Sequence, residues 1–240
     1  MKPTLFLSDL HLSPARPSLV ESFDAFCAGP ARDAAGVYFL GDLFDSWIGD
    51  DQLREPLSDR VAMGMRSVAN AGVAVGVMVG NRDFLLDGRF TEVAGATLLP
   101  EQIVINLAGT PTLLLHGDEL CTADVEYQRY RRFARNSRNQ RIFLAFPYVL
   151  RRGVAGVMRR KSKLTSAAKP ESIMDVEHRS VEAAFRDANV TRIIHGHTHR
   201  PAHHHLLVDG RECERWVLAD WYTHGSYLEF DEEGGRTRDV

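Results

Sequence analysis

Side chains of the kind that bind metal ions follow apolar runs at five places in the chain. The runs are contained in TLFLSDLHL, VYFLGDLFD, VGVMVGNRDF, TLLLHGDE and RIIHGHTHRP. The donors after them include Asp9, His11, Asp42, Asn81, His116, His197 and His199, and the same runs are also followed by Asp45, Asp83, Asp118 and His195. This set offers oxygen and imidazole donors without thiolates, which suits Mn²⁺, Fe²⁺ or Zn²⁺ at a catalytic site. Seven donors exceed what one catalytic ion needs, so they predict two ions that share a bridging carboxylate.

The elements that must position these donors are buried β-strands. Short runs rich in Val, Ile and Leu, broken by glycine and separated by helix-length segments, are typical of an α/β protein. Ligands of such sheets collect beyond the carboxyl ends of the strands, so the seven donors are expected to meet there. One aspartate at such a junction is often only a helix cap, but five junctions in a row favour a metal site. Two divalent ions would carry more positive charge than the coordinating carboxylates neutralise, so the metal site would attract a phosphate or diphosphate.

Length and composition predict one globular domain, residues 1–240, with a sizeable core and the composition of an ordinary soluble protein. Hydrophobic residues make up 44% and charged residues 25% of the 240 residues, and the net charge is −3. The three cysteines, Cys27, Cys121 and Cys213, form no CxxC pair. This argues against a disulfide framework and favours a reducing cytoplasm. The segment MKPTLFLSDLH has no signal-peptide organisation, which agrees with that expectation.

The charge is distributed very unevenly along the chain. Residues 124–170 contain 13 Lys and Arg but only 2 Asp and Glu, so this segment carries +11 while the whole chain carries −3. Aromatic and aliphatic residues are interleaved with the basic ones, which predicts a basic amphipathic helical insertion. Pro147 and Gly153 are expected to divide it into two or three helices.

This inserted segment has three interpretations. It could be a lid beside the metal site that also contacts anionic lipid headgroups. It could be a set of solvated structural helices, or a surface for nucleic acid. The lid is the preferred interpretation. No nucleic-acid partner is expected because the whole chain is slightly acidic, with a net charge of −3, although the local charge of +11 leaves that interpretation open.

The five motifs resemble those of the calcineurin-like metallophosphoesterases, whose pattern is DxH, GD, GNH[DE], H and GHxH. The resemblance extends from Asp9 to His199 and implies two packed mixed β-sheets flanked by helices, an α/β/β/α sandwich. It implies that one metal is held by Asp9, His11, Asp42 and His199. The other would be held by Asp42, Asn81, His116 and His197, with Asp42 as the bridge. His195 precedes the GHxH match and receives no ligand role.

One position departs from the pattern. Many members of the family have histidine where this chain has Arg82, in GNRDF. Arginine stays protonated and cannot serve as a practical general acid, but it can stabilise phosphate charge. The departure favours a substrate with a good leaving group, such as a diphosphate.

GNRDFLL, LGDLFDSWIGDD, HGDELCTAD and IHGHTHRP are similar to the diphosphatases of bacterial lipid A synthesis that cleave UDP-2,3-diacylglucosamine. This resemblance implies two Mn²⁺ ions, attack of metal-activated water on the α-phosphorus, and products UMP and 2,3-diacylglucosamine 1-phosphate. It also implies an enzyme that is peripheral to the inner membrane. We expect a monomer on the cytoplasmic face of that membrane. Substrate contacts would come from Asn81, Arg82, Asp124, Ser162, Ser166, Lys169 and His197, of which Asn81, Arg82 and His197 act at the phosphates. Ser166 stands where asparagine is usual.

Two other functions compete with this interpretation. A cyclic-nucleotide or dinucleotide hydrolase of the same fold would usually keep the histidine that Arg82 replaces. A non-catalytic scaffold would be expected to have lost metal ligands, whereas every ligand position is filled here. The tract His203 to His205 is expected to lie in a strand, with His203 and His205 on one face, and not to form a metal site.

Overall fold

The computed structural model of the chain describes residues 2–168 and 175–240, with the side chains of residues 161–168 left out. Within these residues, eleven strands form two sheets. In chain order they are β1 Thr4–Leu7, β2 Gly36–Leu40, β3 Ala74–Met78, β4 Thr97–Leu98, β5 Gln102–Leu107, β6 Thr110–Leu115, β7 Arg192–His195, β8 Ala202–Val208, β9 Arg211–Val217, β10 Ser226–Asp231 and β11 Gly234–Asp239.

Both sheets are mixed. The first has the order β11-β10-β1-β2-β3-β4, in which β1 to β4 are parallel and β10 and β11 are antiparallel additions. The second has the order β5-β6-β7-β9-β8, with β6, β7 and β9 parallel. The parallel strands of each sheet therefore send their carboxyl ends to one edge, as the sequence predicted.

The helices are α1 Pro17–Ala28, α2 Pro56–Asn70, α3 Gly88–Ala94, α4 Val125–Ala134, α5 Ser137–Leu144, α6 Tyr148–Ala168 and α7 His178–Ala188. One buried apolar cluster joins the first sheet to α1, α2 and α3. A second cluster lies between the two sheets, and a third packs α7 on the second sheet. These layers confirm the predicted α/β/β/α sandwich.

The basic segment forms helices α4, α5 and α6. Pro147 directly precedes α6, as expected of a residue that cannot continue a preceding helix. Gly153 was expected to interrupt a helix, and this was wrong, because it lies inside α6. A glycine costs a helix only about 1 kcal/mol, which the long helix tolerates. Neither α4 nor α5 contains a buried residue.

Several smaller predictions can be compared with the fold. His203 and His205 lie in β8 with ring centroids 4.3 Å apart, so they share one face as expected. His203 stacks on Trp216 and contacts Glu214, which gives it structural partners. No helix among the described residues is both long enough and apolar enough to cross a membrane.

Candidate metal centre

The donors lie in the loops that leave five parallel strands, and these loops have an unusual backbone. Asp9, His11, Asp42, His197 and His199 all have positive φ, between 47° and 69°. Residues other than glycine rarely adopt this left-handed region, and each such residue costs about 1 kcal/mol or more. The sharp turns direct side chains from different strands toward one point, so the strain is concentrated where the seven donors meet.

Two motif glycines let these loops approach closely. A Cβ on Gly80 would lie 2.1 Å from Asp42 Oδ1, and a Cβ on Gly196 would lie 2.3 Å from Asp9 Oδ2. No larger residue fits at either position without moving a donor. The glycines of GNRD and GHTH are therefore required by the packing of the centre itself.

The first group of donors comes from the loops after β1 and β7. Asp9 Oδ1 lies 3.2 Å from His199 Nε2, and the Nε2 atoms of His11 and His199 lie 3.3 Å apart. The Nδ1 atom of His11 is 3.8 Å from Asp42 Oδ2. Asp9, His11 and His199 present ligand atoms within 4.8 Å of one another, which is close enough for one ion.

The second group comes from the loops after β2, β3, β6 and β7. Asn81 Oδ1 lies 3.1 Å from His116 Nε2 and 2.9 Å from His197 Nδ1. His116 Nε2 is 3.8 Å from Asp42 Oδ1, so Asp42 faces both groups with different oxygens. Asp9, Asp42 and His116 also lie within 4.8 Å of one another. The geometry thus gathers all seven predicted donors, with Asp42 between the two groups.

Against the effect of burial, opposite charges lower the pKa of Asp9 and raise the pKa of His116, but other donors lack such compensation. Burial, with help from Asp83 and Asp9, raises the pKa of Asp42 to about 7 although His116 opposes the rise. Burial lowers the pKa of His11 to about 3 and that of His197 to about 4. A carboxylate and neutral imidazoles taken out of water are stabilised by a bound cation.

The donor set fits a divalent metal. His11 Nδ1 is buried and has no hydrogen-bond partner, and its other nitrogen faces a second imidazole. Two imidazole nitrogens 3.3 Å apart cannot both point lone pairs at each other favourably, but both can bind a cation between them. Asp9, His11, Asp42 and His116 are buried, whereas Asn81, His197 and His199 are partly exposed and leave one open side.

Two aspartates outside the donor set support it. Asp83 is buried and accepts backbone hydrogen bonds from Gly80, Asp42 and Leu43, so it joins the loops after β2 and β3. Such contacts fix the orientation of ligands.

Asp118, two residues after His116, connects the centre to α4. Its Oδ2 accepts hydrogen bonds from the Tyr127 hydroxyl at 2.6 Å and from Arg131 Nε at 2.9 Å. Arg135 lies 3.4 Å from the same oxygen and also donates to the Gly80 carbonyl. The Tyr127 ring stacks on His197 at 6.0 Å. The inserted helix therefore touches three of the loops that hold donors.

Sequence reasoning missed two residues in the loop after β9. Asp220 Oδ2 lies 3.5 Å from His199 Nδ1, on the side away from Asp9, where it can orient that ring. The Tyr222 ring stacks on His11, with centroids 5.3 Å apart, and meets His199 edge-on. The signal was present, because WVLAD is a further apolar run that ends in an aspartate.

The other predicted residues are placed as follows. The Arg82 backbone N–H donates to Asp42 Oδ1 at 2.8 Å, which puts its side chain beside the centre. Asp124 caps α4 by accepting from the Tyr127 N–H. Lys169 and the side chains of Ser162 and Ser166 lie outside the described part of the structure. Cys121 is buried and burial raises the pKa of its thiol to about 12, which agrees with a packing role.

His195 is buried without a role at the centre itself. Its Nε2 accepts from Arg215 at 2.9 Å, and its Nδ1 donates to the Gly196 carbonyl at 2.8 Å. These contacts fix the start of the loop that carries His197 and His199.

Comparison with known proteins agrees with this geometry. The profile of the calcineurin-like phosphoesterases matches residues 2–201. The chain is 46% identical over 231 residues to the UDP-2,3-diacylglucosamine hydrolase of Cellvibrio japonicus, covering 96% of each chain. It is 47% identical over 232 residues to the protein of the same name from Edwardsiella ictaluri, covering 96% of this chain and 89% of the relative.

The chain belongs to the calcineurin-like phosphoesterases, in the family of the UDP-2,3-diacylglucosamine hydrolases. Membership in this phosphoesterase family and the donor groups described above together imply a hydrolase that uses a divalent metal.

Proposed function

We propose that the protein hydrolyses UDP-2,3-diacylglucosamine to UMP and 2,3-diacylglucosamine 1-phosphate in lipid A biosynthesis. The observation that carries this proposal is the convergence of seven oxygen and imidazole donors beside Arg82, in a chain whose full-length relatives bear the name of this activity.

Two Mn²⁺ ions are the cofactors we propose. Asp9, His11, Asp42 and His199 would hold one ion, and Asp42, Asn81, His116 and His197 would hold the other. Bound in this way, the ions would activate a water for attack on the α-phosphorus and neutralise diphosphate charge. The support is that Asp42 presents one oxygen to each group of donors.

Arg82, Asn81 and His197 would act on the substrate directly. Arg82 has no hydrogen bond or ion pair from its guanidinium among the described residues, and its charge acts on both Asp42 and Tyr130. It is therefore free to bind phosphate oxygens and to stabilise the charge that develops on them. Asn81 and His197 lie on the open side, where their polar atoms can position the same phosphate group.

Residues 124–170 would form a lid that receives the acyl chains. Asp124, Ser162, Ser166 and Lys169 are the lid residues proposed to contact the substrate. Large apolar side chains are exposed on its helices, including Phe133, Ile142, Phe146, Val149, Leu150 and Val157. Together with the excess of arginine and lysine, they suit peripheral contact with anionic lipid at the cytoplasmic face of the inner membrane by a monomer.

The test is UMP release from UDP-2,3-diacylglucosamine by protein treated with EDTA and then resupplied with Mn²⁺. Release that returns with Mn²⁺ supports the reaction, the substrate and the cofactor. Absence of release, while bis(p-nitrophenyl) phosphate is still hydrolysed, would retain the metal centre but refute this substrate. Titration of Mn²⁺ binding by calorimetry gives the number of ions independently of turnover.

A further inference from the structure

Arg16 is a cation without a counter-charge next to the metal centre. Its Nη1 atom is buried and has no hydrogen-bond partner, and it forms no ion pair among the described residues. A buried donor left unpaired costs about 1–3 kcal/mol, and more when it is charged. An acceptor is therefore expected to bind there in the working enzyme.

Tyr222 holds this guanidinium close to the donors. Arg16 Cζ lies 4.4 Å from the centroid of the Tyr222 ring, in a cation–π contact. The same ring stacks on His11 at 5.3 Å and meets His199 at 5.2 Å. The Tyr222 ring thus lies between Arg16 and two members of the first group of donors, His11 and His199.

A second arginine, Arg159 of the inserted helix α6, lies near Arg16 and Tyr222. Burial lowers the pKa of Arg159, Tyr222 opposes that effect, and the positive charge of Arg16 lowers the pKa further. Arg159 is neutralised by an ion pair with Asp45 and donates to the Asp45 carbonyl. Arg16 has no such partner among the described residues, so the described part of this cluster retains a positive charge.

Helix stability does not account for Arg16. The residue occupies the N-cap of α1, where it makes no side-chain capping hydrogen bond. The N-terminus of a helix carries partial positive charge, which disfavours a cation there. Aspartate, serine or asparagine would be better caps.

We propose that Arg16, held against Tyr222, binds a phosphate oxygen of the substrate's diphosphate on the His11 and His199 side of the centre. This inference rests on the proposed function, since it concerns a second phosphate contact for the same substrate. A planar guanidinium can bind two oxygens of a phosphate group. Arg82 is proposed to bind phosphate oxygens in the same way beside the other group of donors. The phosphate that Arg16 contacts could belong to the uridylyl half or to the sugar half.

The experiment measures binding of two product halves, UMP and glucosamine 1-phosphate, by calorimetry with Mn²⁺-loaded protein. The variants are Arg16→Gln and Arg16→Lys, and the matched control is Arg89→Gln, an exposed arginine on α3. We expect Arg16→Gln to weaken one of the two ligands about tenfold or more, Arg16→Lys to weaken it less, and Arg89→Gln to leave both unchanged. KM for UDP-2,3-diacylglucosamine should rise in the same order.

The outcomes separate the two phosphates and the two proposals. Weaker UMP binding alone assigns the contact to the uridylyl phosphate, and weaker glucosamine 1-phosphate binding alone assigns it to the sugar phosphate. Unchanged affinity for both ligands and an unchanged KM in Arg16→Gln would overturn the inference, even if the protein cleaves UDP-2,3-diacylglucosamine. Failure of the unmodified protein to cleave that substrate would refute the proposed function, whatever Arg16 binds.

Tyr222 provides a second line of test. Tyr222→Phe keeps the ring beneath Arg16, whereas Tyr222→Leu removes it. Tyr222→Phe should therefore retain more affinity for the same product half than Tyr222→Leu does. Equal losses in both variants, or a loss that only follows a lower melting temperature, would contradict the role of the ring in holding Arg16.

Discussion

The metal centre and the inserted helices are held in place by different forces. Asp9, Asp42 and His116 are buried and emerge from strands in the interior of the sandwich. Helices α4 and α5 have no buried residue and expose large apolar side chains. The attachment of α4 depends on charged contacts, namely those of Arg131 and Arg135 with Asp118 and Glu101. Helix α5 packs the partly buried Phe143 against the first apolar cluster.

This difference indicates two levels of rigidity. Donors on strand ends are fixed by the packing of both sheets, which does not deform continuously. Helix α4 has no buried residue of its own and depends on a few ion pairs with the buried Asp118, so loss of one of these pairs can let the helix shift. The structure thus combines a rigid centre with an insertion whose first helix, α4, depends on a few charges for its position.

Removing a donor should have the largest effect. His116→Ala should lower kcat by about a thousandfold or more, since the second group would lose a ligand that nothing nearby replaces. The thermal unfolding transition should remain cooperative. His205→Ala, at an exposed histidine of β8, is the control and should keep full activity. Near-normal turnover in His116→Ala would contradict the assignment of the second metal.

Arg82→Ala should have the next largest effect. We expect kcat to fall about a hundredfold and to change more than KM, because charge on the phosphate oxygens grows in the transition state. Steady-state kinetics with saturating Mn²⁺ measure both constants. A rise in KM at constant kcat would show that Arg82 only binds the ground state.

Asp118→Asn tests the connection between the two regions. It leaves Arg131 with Glu101 and Glu119, and it leaves Arg135 with Glu101. Breaking the buried pairs with Asp118 costs about 3 kcal/mol of the free energy of unfolding. We expect KM to rise about tenfold because α4 would no longer be held in its position beside the metal centre. Urea unfolding and kinetics measure the two effects.

The control for this test is Asp24→Asn, at the exposed pair of Asp24 with Arg60, which should change neither quantity appreciably. A stability loss in Asp118→Asn with an unchanged KM would show that α4 does not position the substrate.

Charge reversal on the insertion should have the smallest effect on turnover. Arg132→Glu with Arg138→Glu should weaken binding to vesicles of anionic phospholipid roughly tenfold or more, since each basic residue near a membrane contributes about 1 kcal/mol. Turnover of substrate in detergent micelles should stay the same. Arg89→Glu with Arg179→Glu is the matched control for net charge. Equal vesicle binding by both double variants would contradict the proposal that the insertion contacts the membrane.

The sequence alone determined the strands and the donors that follow them. Both are local properties, because an apolar run that ends in Asp, Asn or His can be read without knowing what packs against it. The α/β class follows from this pattern, while the α/β/β/α sandwich and the grouping of the seven donors were implied by the resemblance of the five motifs to the metallophosphoesterases. The basic insertion was equally visible, as an imbalance of charge within residues 124–170.

Only the tertiary structure decided how distant residues meet. The contact of Asp220 with His199, the Tyr222 ring between Arg16 and His11, and the anchoring of α4 on Asp118 each join segments separated in the chain. The continuation of α6 through Gly153 depended on the rest of that helix. Such contacts arise from the pairing and packing of whole sheets and helices, which no single stretch of sequence encodes.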